Sequence, residues 1–312
     1  LAAGNPVLVK HASIVPHCAE VFAHLVREAG APEGAWTNLF ISSDQVANII
    51  ADDRVQGAAL TGSEKAGSAV ASQAAKYVKK STLELGGNDV FVVLDDADLE
   101  KAVKIGVQAR LQNAGQVCTA AKRFILHEKI ADAFLDKLTQ AFQAVKIGDP
   151  LDESTKLGPL SSKEAQETLT KQVNEAVKNG ATLKLGGKPV QGEGSFFEPT
   201  ILTDIARDNP AYFEEFFGPV AQVYVVKDDD AAVKLANDSH YGLGGAVFSQ
   251  NIDRAKKMAS RIETGMVYIN WLTDTAAELP FGGVKRSGYG RELSDLGIKE
   301  FVNQKLVVVR KG

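Results

Sequence analysis

The chain has 312 residues, of which 45% are hydrophobic and 24% are charged, and its formal net charge is −4. This length predicts two domains, and the composition is typical of an ordinary globular protein. Lysine and arginine are scattered along the chain, which argues against nucleic acid or an acidic membrane surface as a partner.

No apolar run is long enough to span a bilayer, and the first ten residues lack the pattern of a signal peptide. The two cysteines, Cys18 and Cys118, are too few for a disulfide framework, so we expect a reducing, cytoplasmic setting. The five histidines are scattered without paired Cys/His spacing, which predicts no metal site. The chain begins with Leu1, as if inside a folded unit, and we expect a segment of the protein upstream of it.

Short β-branched runs alternate with amphipathic stretches along the first third of the chain. The pattern predicts strands at 6–10, 37–41, 57–61 and 90–94, and helices at 16–29, 43–51 and 63–79. Ser43 is the expected N-cap of the second helix, and Cys18 is expected in the core. Strands and helices in alternation predict an α/β fold with a parallel sheet covered on both faces.

A second unit is predicted to begin near Gly86 and Gly87. Helices are predicted at 98–112, 128–145, 163–179 and 229–237, and strands at 219–226, 244–248 and 265–270. The final run, 305–310, is an apolar strand at the terminus. We expect it to pair with another sheet edge, such as that of a sister subunit.

The first of five motifs is a glycine turn at 60–63, Leu-Thr-Gly-Ser, between a predicted strand and a predicted helix. The free N–H groups and positive end of that helix would favour a pyrophosphate, and Gly62 would let it approach the backbone. The turn lacks the full Gly-x-Gly-x-x-Gly pattern. Nucleotide binding and a purely structural turn therefore remain alternatives for this segment.

The second and third motifs, at 83–87 and 115–118, carry residues for covalent chemistry. Glu84 stands between leucines and before two glycines, so poor solvation should raise its pKa toward that of a general base. An acid paired with a lysine at a domain junction is the more common outcome. Cys118 is expected to open a helix, whose dipole would lower the thiol pKa, and its own N–H could donate to an oxyanion. A buried structural cysteine is the alternative.

The fourth and fifth motifs, at 214–219 and 280–288, place aromatic side chains beside glycines, and either alone could be a turn. The order of all five decides their interpretation: Leu-Thr-Gly-Ser, Leu-Glu-Leu-Gly-Gly, Gly-Gln-x-Cys, Glu-Glu-x-Phe-Gly-Pro and Pro-Phe-Gly-Gly-x-Lys-x-Ser-Gly. In this order they resemble the aldehyde dehydrogenase superfamily, and the resemblance runs from Lys10 to the last predicted strand.

The resemblance implies an aldehyde dehydrogenase-like fold and a role for individual residues. Cys118 matches the nucleophile that attacks the aldehyde, and Glu84 matches the base that activates water for hydrolysis of the thioester. The positions that match the binding of NAD or NADP are Lys10, Ser13, Gly62, Ser63, Glu215 and Phe217. Those expected to meet the substrate are Gln112, Asn270, Thr275 and Phe281.

His11 and the segment 112–124 look like the succinate-semialdehyde dehydrogenase branch of that superfamily. Ser13 stands where many NAD-preferring members have Glu, so NADP should be accepted, although NAD remains possible. Glu278 is discordant, because an acid near an anionic substrate would repel it unless it points away or is paired.

The resemblance further implies three regions: the C-terminal part of a nucleotide-binding domain at 1–86, a catalytic domain at 87–286, and a return helix and oligomerisation strand at 287–312. A homodimer or homotetramer is expected.

Three alternatives for the function stay open: a broad-specificity aldehyde dehydrogenase, an inactive remnant that lacks an upstream oxyanion donor, and a cysteine hydrolase in which His127 or His240 approaches Cys118 in space.

Overall fold

A computed structural model gives the fold of the chain and describes residues 1–311. Its helices are α1 Pro16–Glu28, α2 Ser43–Ala51, α3 Glu64–Lys76, α4 Leu99–Leu111, α5 Glu128–Gln143, α6 Lys163–Lys178, α7 Asp229–Asn237, α8 Ile252–Ala259 and α9 Ser294–Ile298. Its strands are β1 Val7–Val9, β2 Trp36–Asn38, β3 Gly57–Thr61, β4 Lys80–Glu84, β5 Val90–Val93, β6 Arg123–His127, β7 Thr182–Leu185, β8 Thr200–Thr203, β9 Val220–Val226, β10 Tyr241–Gly242, β11 Gly245–Phe248, β12 Tyr268–Ile269, β13 Val284–Lys285 and β14 Gly288–Tyr289.

Seven strands form the main sheet, in the order β12-β11-β5-β6-β9-β8-β7. Neighbouring strands are parallel except for β7 and β8. Every residue of β5 and β6 is buried, as expected for central strands covered on both faces. Phe91 on β5 stacks on Phe248 and packs against Phe124. The predicted α/β fold with a parallel sheet is therefore confirmed.

Two smaller sheets are built on strands of the N-terminal part of the chain. Strands β1 and β2 form a parallel pair, and β14, β4 and β3 form a three-stranded sheet in that order. Strand β3 runs parallel to β4, whereas β14 runs antiparallel to it and places Gly288 opposite Glu84. The C-terminal segment thus returns to the sheet that carries Glu84.

Several local predictions were wrong. The N-cap of α2 is Ser42 rather than Ser43, and α3 ends early enough for a strand, β4, to follow it. The strands β6, β7 and β8 were not predicted; β6 begins with a buried arginine and ends with a buried histidine, which hid its apolar character. Cys18 is exposed, since α1 buries only Ala19 and Ala23.

The predicted terminal strand at 305–310 is not a strand in this chain. Within the described residues this segment pairs with no other strand, and its four apolar side chains, Leu306, Val307, Val308 and Val309, are all exposed. A strand exists only where a neighbouring backbone supplies hydrogen bonds, and residues 1–311 place none beside this segment. None of the helices within residues 1–311 combines the length and apolar character that a membrane crossing needs.

Candidate active site

The first, second and fifth motifs meet at the end of β4, where hydrogen bonds to the backbone hold them together. The Gly62 N–H of the first motif donates to the Glu84 carbonyl oxygen at 2.9 Å. The fifth motif is bonded to the second, because the Leu85 N–H donates to the Ser287 carbonyl oxygen at 3.0 Å and the Ser287 hydroxyl donates to the Gly86 carbonyl oxygen at 2.7 Å. Segments distant in the chain therefore meet at the backbone of residues 84–86.

Glu84, the last residue of β4, has a buried and incompletely bonded carboxylate. Only 4% of the residue is exposed, and its Oε2 atom has no hydrogen-bond partner. Burial and, secondarily, the negative charge of Glu292 raise the pKa of Glu84 to about 7, against a smaller lowering by Arg291. Such a group is half ionised near neutral pH and can accept a proton from water.

Cys118 lies in a turn between α4 and β6, not at the start of a helix. The approach runs through a short 3₁₀ segment, Gln112–Gly115, in which Asn113 and Ala114 have φ values of 52° and 54°. These two residues have a left-handed backbone conformation and change the direction of the chain before Cys118. Strand β6 follows the cysteine. The expected lowering of the thiol pKa by a helix dipole is therefore absent. Instead, burial raises the pKa of Cys118, while the charge of Lys122 lowers it.

The second motif lies directly against this turn. A Cβ atom on Gly87 would stand 2.5 Å from the Cys118 carbonyl oxygen, so only glycine lets the two backbones approach this closely. Gly115 packs in the same way against the carbonyl group of Gly218 in the fourth motif. The segment that holds Glu84 and the turn that holds Cys118 are thus in contact.

Four fully or largely buried charged side chains lie beneath the Cys118 turn. Lys122 forms an ion pair with Glu215 at 3.0 Å, and Glu215 also accepts a hydrogen bond from the Gly87 N–H at 3.1 Å. Arg110 donates to the Gly115 carbonyl oxygen at 2.6 Å. Asp89 accepts from the Gly244 N–H at 3.0 Å, and burial raises its pKa to about 6. Two cations and two anions balance one another here, which reduces the cost of burying them.

The structure places the other expected cofactor residues at strand ends and loops. Lys10 and Ser13 are exposed just after β1. Ser63 caps α3, since its hydroxyl accepts a hydrogen bond from the Ala66 N–H at 3.3 Å. A Cβ atom on Gly62 would meet only the Leu60 side chain, no closer than 3.9 Å. The space in front of this helix N-terminus is open, as a phosphate group would require. Phe217 is 47% exposed.

The expected substrate residues are spread over three loops. Gln112 and Thr275 are exposed, and Phe281 is buried where its backbone exchanges two hydrogen bonds with Glu292. Asn270 has a φ of 56°, and its amide accepts from the Ser249 N–H and donates to the Ser249 carbonyl oxygen. The side chain of Asn270 therefore bonds this segment to Ser249, directly after β11. The discordant acid Glu278 is exposed.

Sequence reasoning missed the buried ionic residues Asp89, Arg110 and Lys122. A usable signal existed for two of them: Asp89 directly precedes the apolar run of β5, and Lys122 directly precedes β6. A charged residue at the start of a fully buried strand must find a partner in the interior. The sequence could not show which partner. Within residues 1–311 no cluster of His, Cys, Asp and Glu is arranged to hold a metal ion.

Comparison with known proteins agrees with this arrangement. The profile of the aldehyde dehydrogenase family matches residues 1–307. A succinate-semialdehyde dehydrogenase (NADP(+)) of Deinococcus radiodurans is 53% identical over 307 residues, which are 98% of this chain and 64% of that protein. The succinate semialdehyde dehydrogenase (NAD(P)+) Sad of Escherichia coli is 45% identical over 303 residues, 97% of this chain and 66% of that protein.

The likeness extends to three-dimensional structure. A crystal structure of succinic semialdehyde dehydrogenase from Streptococcus pyogenes, in complex with NADP+ as the cofactor, superposes with a TM-score of 0.97 at 51% identity. The match covers 99% of this chain and 68% of that one. The chain belongs to the aldehyde dehydrogenase family, and it spans about two thirds of the length of the curated relatives it matches.

Proposed function

We propose that this chain carries the nucleophile and the general base of an NAD(P)+-dependent aldehyde dehydrogenase, which oxidises an aldehyde to a carboxylic acid. The observation that carries the proposal is the state of Glu84. Its carboxylate is buried, one oxygen has no partner, its pKa is raised to about 7, and its segment contacts the Cys118 turn through Gly87. A base of this pKa, on a segment that contacts the nucleophile turn, suits hydrolysis of a thioester at neutral pH.

In the proposed reaction the Cys118 sulfur, as thiolate, forms a bond to the aldehyde carbon and gives a thiohemiacetal. A bound nicotinamide would supply the hydride acceptor by which this adduct becomes a thioester on the Cys118 sulfur. Glu84 then takes a proton from water while the water oxygen attacks the thioester carbon. The carbon–sulfur bond breaks, the carboxylic acid leaves, and Cys118 returns as a thiolate.

The residues present fit a dinucleotide. Gly62 and Ser63 would receive the pyrophosphate at the N-terminus of α3, where the first N–H groups have no partner within the helix. Lys10 and Ser13 would meet the adenine ribose, Glu215 the nicotinamide ribose, and Phe217 the nicotinamide. Ser13 carries no charge that would repel a 2′-phosphate. We therefore propose that both NADP and NAD bind, in line with the cofactors named for the relatives.

Succinate semialdehyde is the substrate that we propose, because the relatives are named for it. Gln112 and Thr275 would donate to its distal carboxylate, while Phe281 and the Asn270 turn would line the approach to Cys118. The exposed acid Glu278 favours a second candidate, an enzyme that accepts uncharged aldehydes as well, because a carboxylate in this loop would weaken selection for an anion.

We further propose that the protein forms a homodimer or homotetramer in a reducing compartment, the cytoplasm. Four consecutive apolar side chains, Leu306 to Val309, are exposed at the C-terminus. A run of this kind suits pairing with the sheet edge of a second copy. We also propose the division into the regions 1–86, 87–286 and 287–312, because β4 ends and β14 begins close to the two boundaries.

The test is formation of NAD(P)H by the protein as produced from its gene. Succinate semialdehyde and butanal would each be supplied with NAD and with NADP. We expect turnover that Cys118→Ala abolishes and that Cys18→Ser leaves unchanged. A strong preference for succinate semialdehyde supports the specific substrate, and equal rates support the broad enzyme. No turnover of either aldehyde by the folded protein would overturn the proposal.

A further inference from the structure

The ammonium group of Lys122 contacts both the Cys118 turn and Glu215. In the proposed reaction these two groups must keep a fixed position relative to each other. The side chain is completely buried. Its Nζ donates to the carbonyl oxygens of Val117 and Cys118 at 2.9 and 2.6 Å, and it pairs with a carboxylate oxygen of Glu215 at 3.0 Å. An ammonium group has three donors, and here all three are used. One side chain therefore bonds the nucleophile turn and the proposed ribose-binding acid together.

The charges that surround this contact come from several elements. Asp89 precedes β5, Arg110 ends the last turn of α4, and Glu215 lies in the loop before β9. Arg110 donates to the carbonyl oxygen of Gly115, three residues before Cys118. Among these groups Lys122 alone lowers the pKa of Cys118, while Asp89 and Glu215 raise it. The negative charges of Asp89 and Glu215 thus oppose the effect of the Lys122 charge on the pKa of the thiol.

We propose that Lys122 is a positioning residue that fixes the Cys118 turn and couples ionisation of the thiol to the position of Glu215. The inference rests on the proposed function, since it concerns the same nucleophile. If Glu215 turned toward a ribose hydroxyl, Lys122 would lose the anionic partner it has here, and its charge would act on the sulfur with less compensation.

Lys122 and Glu215 carry opposite charges, so removing one or the other should shift the titration of Cys118 in opposite directions. This can be measured without any turnover. In a Cys18→Ser background Cys118 is the only thiol of residues 1–312, and mass spectrometry of the peptide that contains it reads its alkylation alone. The rate of alkylation of Cys118 by iodoacetamide is measured against pH, and its midpoint reports thiolate formation. Lys122→Gln keeps N–H donors for the carbonyl oxygens but removes the charge. We expect its midpoint to rise by about one pH unit.

Glu215→Gln provides the opposite test. It leaves Lys122 charged and removes the anion beside it, so the midpoint should fall. The matched control is Lys79→Gln, because Lys79 also donates to two carbonyl oxygens, those of Ile50 and Asp52 at 2.7 and 2.6 Å, but lies in the N-terminal part of the chain. The control should lose stability without a change in the midpoint.

An unchanged midpoint in folded Lys122→Gln, or a shift of the same sign in both variants, would overturn the proposal. If Lys122→Gln does not fold, the Glu215→Gln variant alone provides the test. In that case an alkylation midpoint equal to or above that of the parent protein would overturn the proposal. Thermal unfolding of each variant establishes that it folds. The aldehyde assay with Cys118→Ala tests the proposed function separately, so failure of one idea is distinguishable from failure of the other.

Discussion

Gly87 and the carbonyl oxygen of Cys118 approach so closely that a single added methyl group would not fit between them. The ideal Cβ position on Gly87 is 2.5 Å from this oxygen and 3.2 Å from the Cβ of Leu243. Both neighbours belong to packed backbone or to a branched side chain, so neither can move freely. The position of Cys118 is therefore set by a residue three places after Glu84.

Gly87→Ala should displace the Cys118 turn. We expect a loss of about 1–3 kcal/mol in the free energy of unfolding, the usual cost of overpacking, and a change in the rate of Cys118 alkylation. Chemical denaturation and a thiol-reaction time course measure the two effects. Gly158→Ala is the matched control, because its Cβ would meet only Pro150 at 3.8 Å; equal behaviour of the two variants would count against the close contact.

Turnover limited by thioester hydrolysis should rise with pH around a midpoint of about 7. The reason is that Glu84, whose pKa is raised to about 7 by burial, acts as a base only when ionised. Glu84→Gln should slow hydrolysis roughly 10²- to 10⁴-fold yet still release one equivalent of NAD(P)H per site in a rapid first phase. Stopped-flow absorbance resolves the two phases, and full steady-state turnover in this variant would rule Glu84 out as the base.

The same substitution should stabilise the fold at high pH. Glu84 has a pKa of about 7 in the folded protein against an ordinary value of 4.5, so the folded state binds this proton more tightly than the unfolded state. The carboxyl group therefore lowers stability progressively as pH rises from about 4.5 to 7.

Glu84→Gln should accordingly unfold with the same free energy as the parent near pH 4 and with about 1–3 kcal/mol more at pH 8. Urea titrations at the two pH values provide the measurement. The control is Glu167→Gln, which changes an exposed acid on α6 and should show no pH-dependent difference. A Glu84→Gln variant that is less stable than the parent at pH 8 would show that the buried carboxylate is stabilised by a partner.

Ser63 should have separable roles in folding and in cofactor binding. Ser63→Ala removes the cap of α3 and should cost about 1 kcal/mol in unfolding free energy. Ser63→Asp keeps a capping oxygen but places a negative charge where phosphates are proposed to lie, so NADP affinity should fall roughly tenfold or more. Fluorescence titration measures binding.

The control is Ser162→Ala, which removes the cap of α6 in the same way. It should lower stability and leave NADP affinity unchanged. If this variant also bound NADP weakly, the loss of affinity would be a general effect of instability.

The C-terminal apolar run should control assembly. Val307→Asp with Val309→Asp places two charges in the segment 305–310, where adjacent strands would otherwise pair. We expect the mass in solution, measured by light scattering after gel filtration, to fall to that of a smaller assembly. Lys305→Asp at the edge of the segment is the control and should preserve the parent mass. An unchanged mass in the doubly charged variant would exclude this segment from the interface.

Motif order and periodicity predicted much of this protein from the sequence. The alternation of strands and helices predicted the α/β fold, and the order of five short motifs predicted the family, since each motif is local and its residue types are readable without a structure. Glu84 was expected to be poorly solvated because leucines and glycines flank it, and its burial agrees. The roles assigned to the site residues remain predictions.

Only the tertiary structure decided the electrostatics around Cys118. The cysteine was predicted at a helix start, where a dipole would lower its pKa, but the left-handed residues Asn113 and Ala114 turn the chain away. The charge that faces the thiol instead comes from Lys122, whose partner Glu215 lies far along the chain. Local sequence patterns indicate secondary-structure propensity and solvation. An ion pair between distant segments depends instead on which strands lie next to each other in the sheet, and no local pattern contains that information.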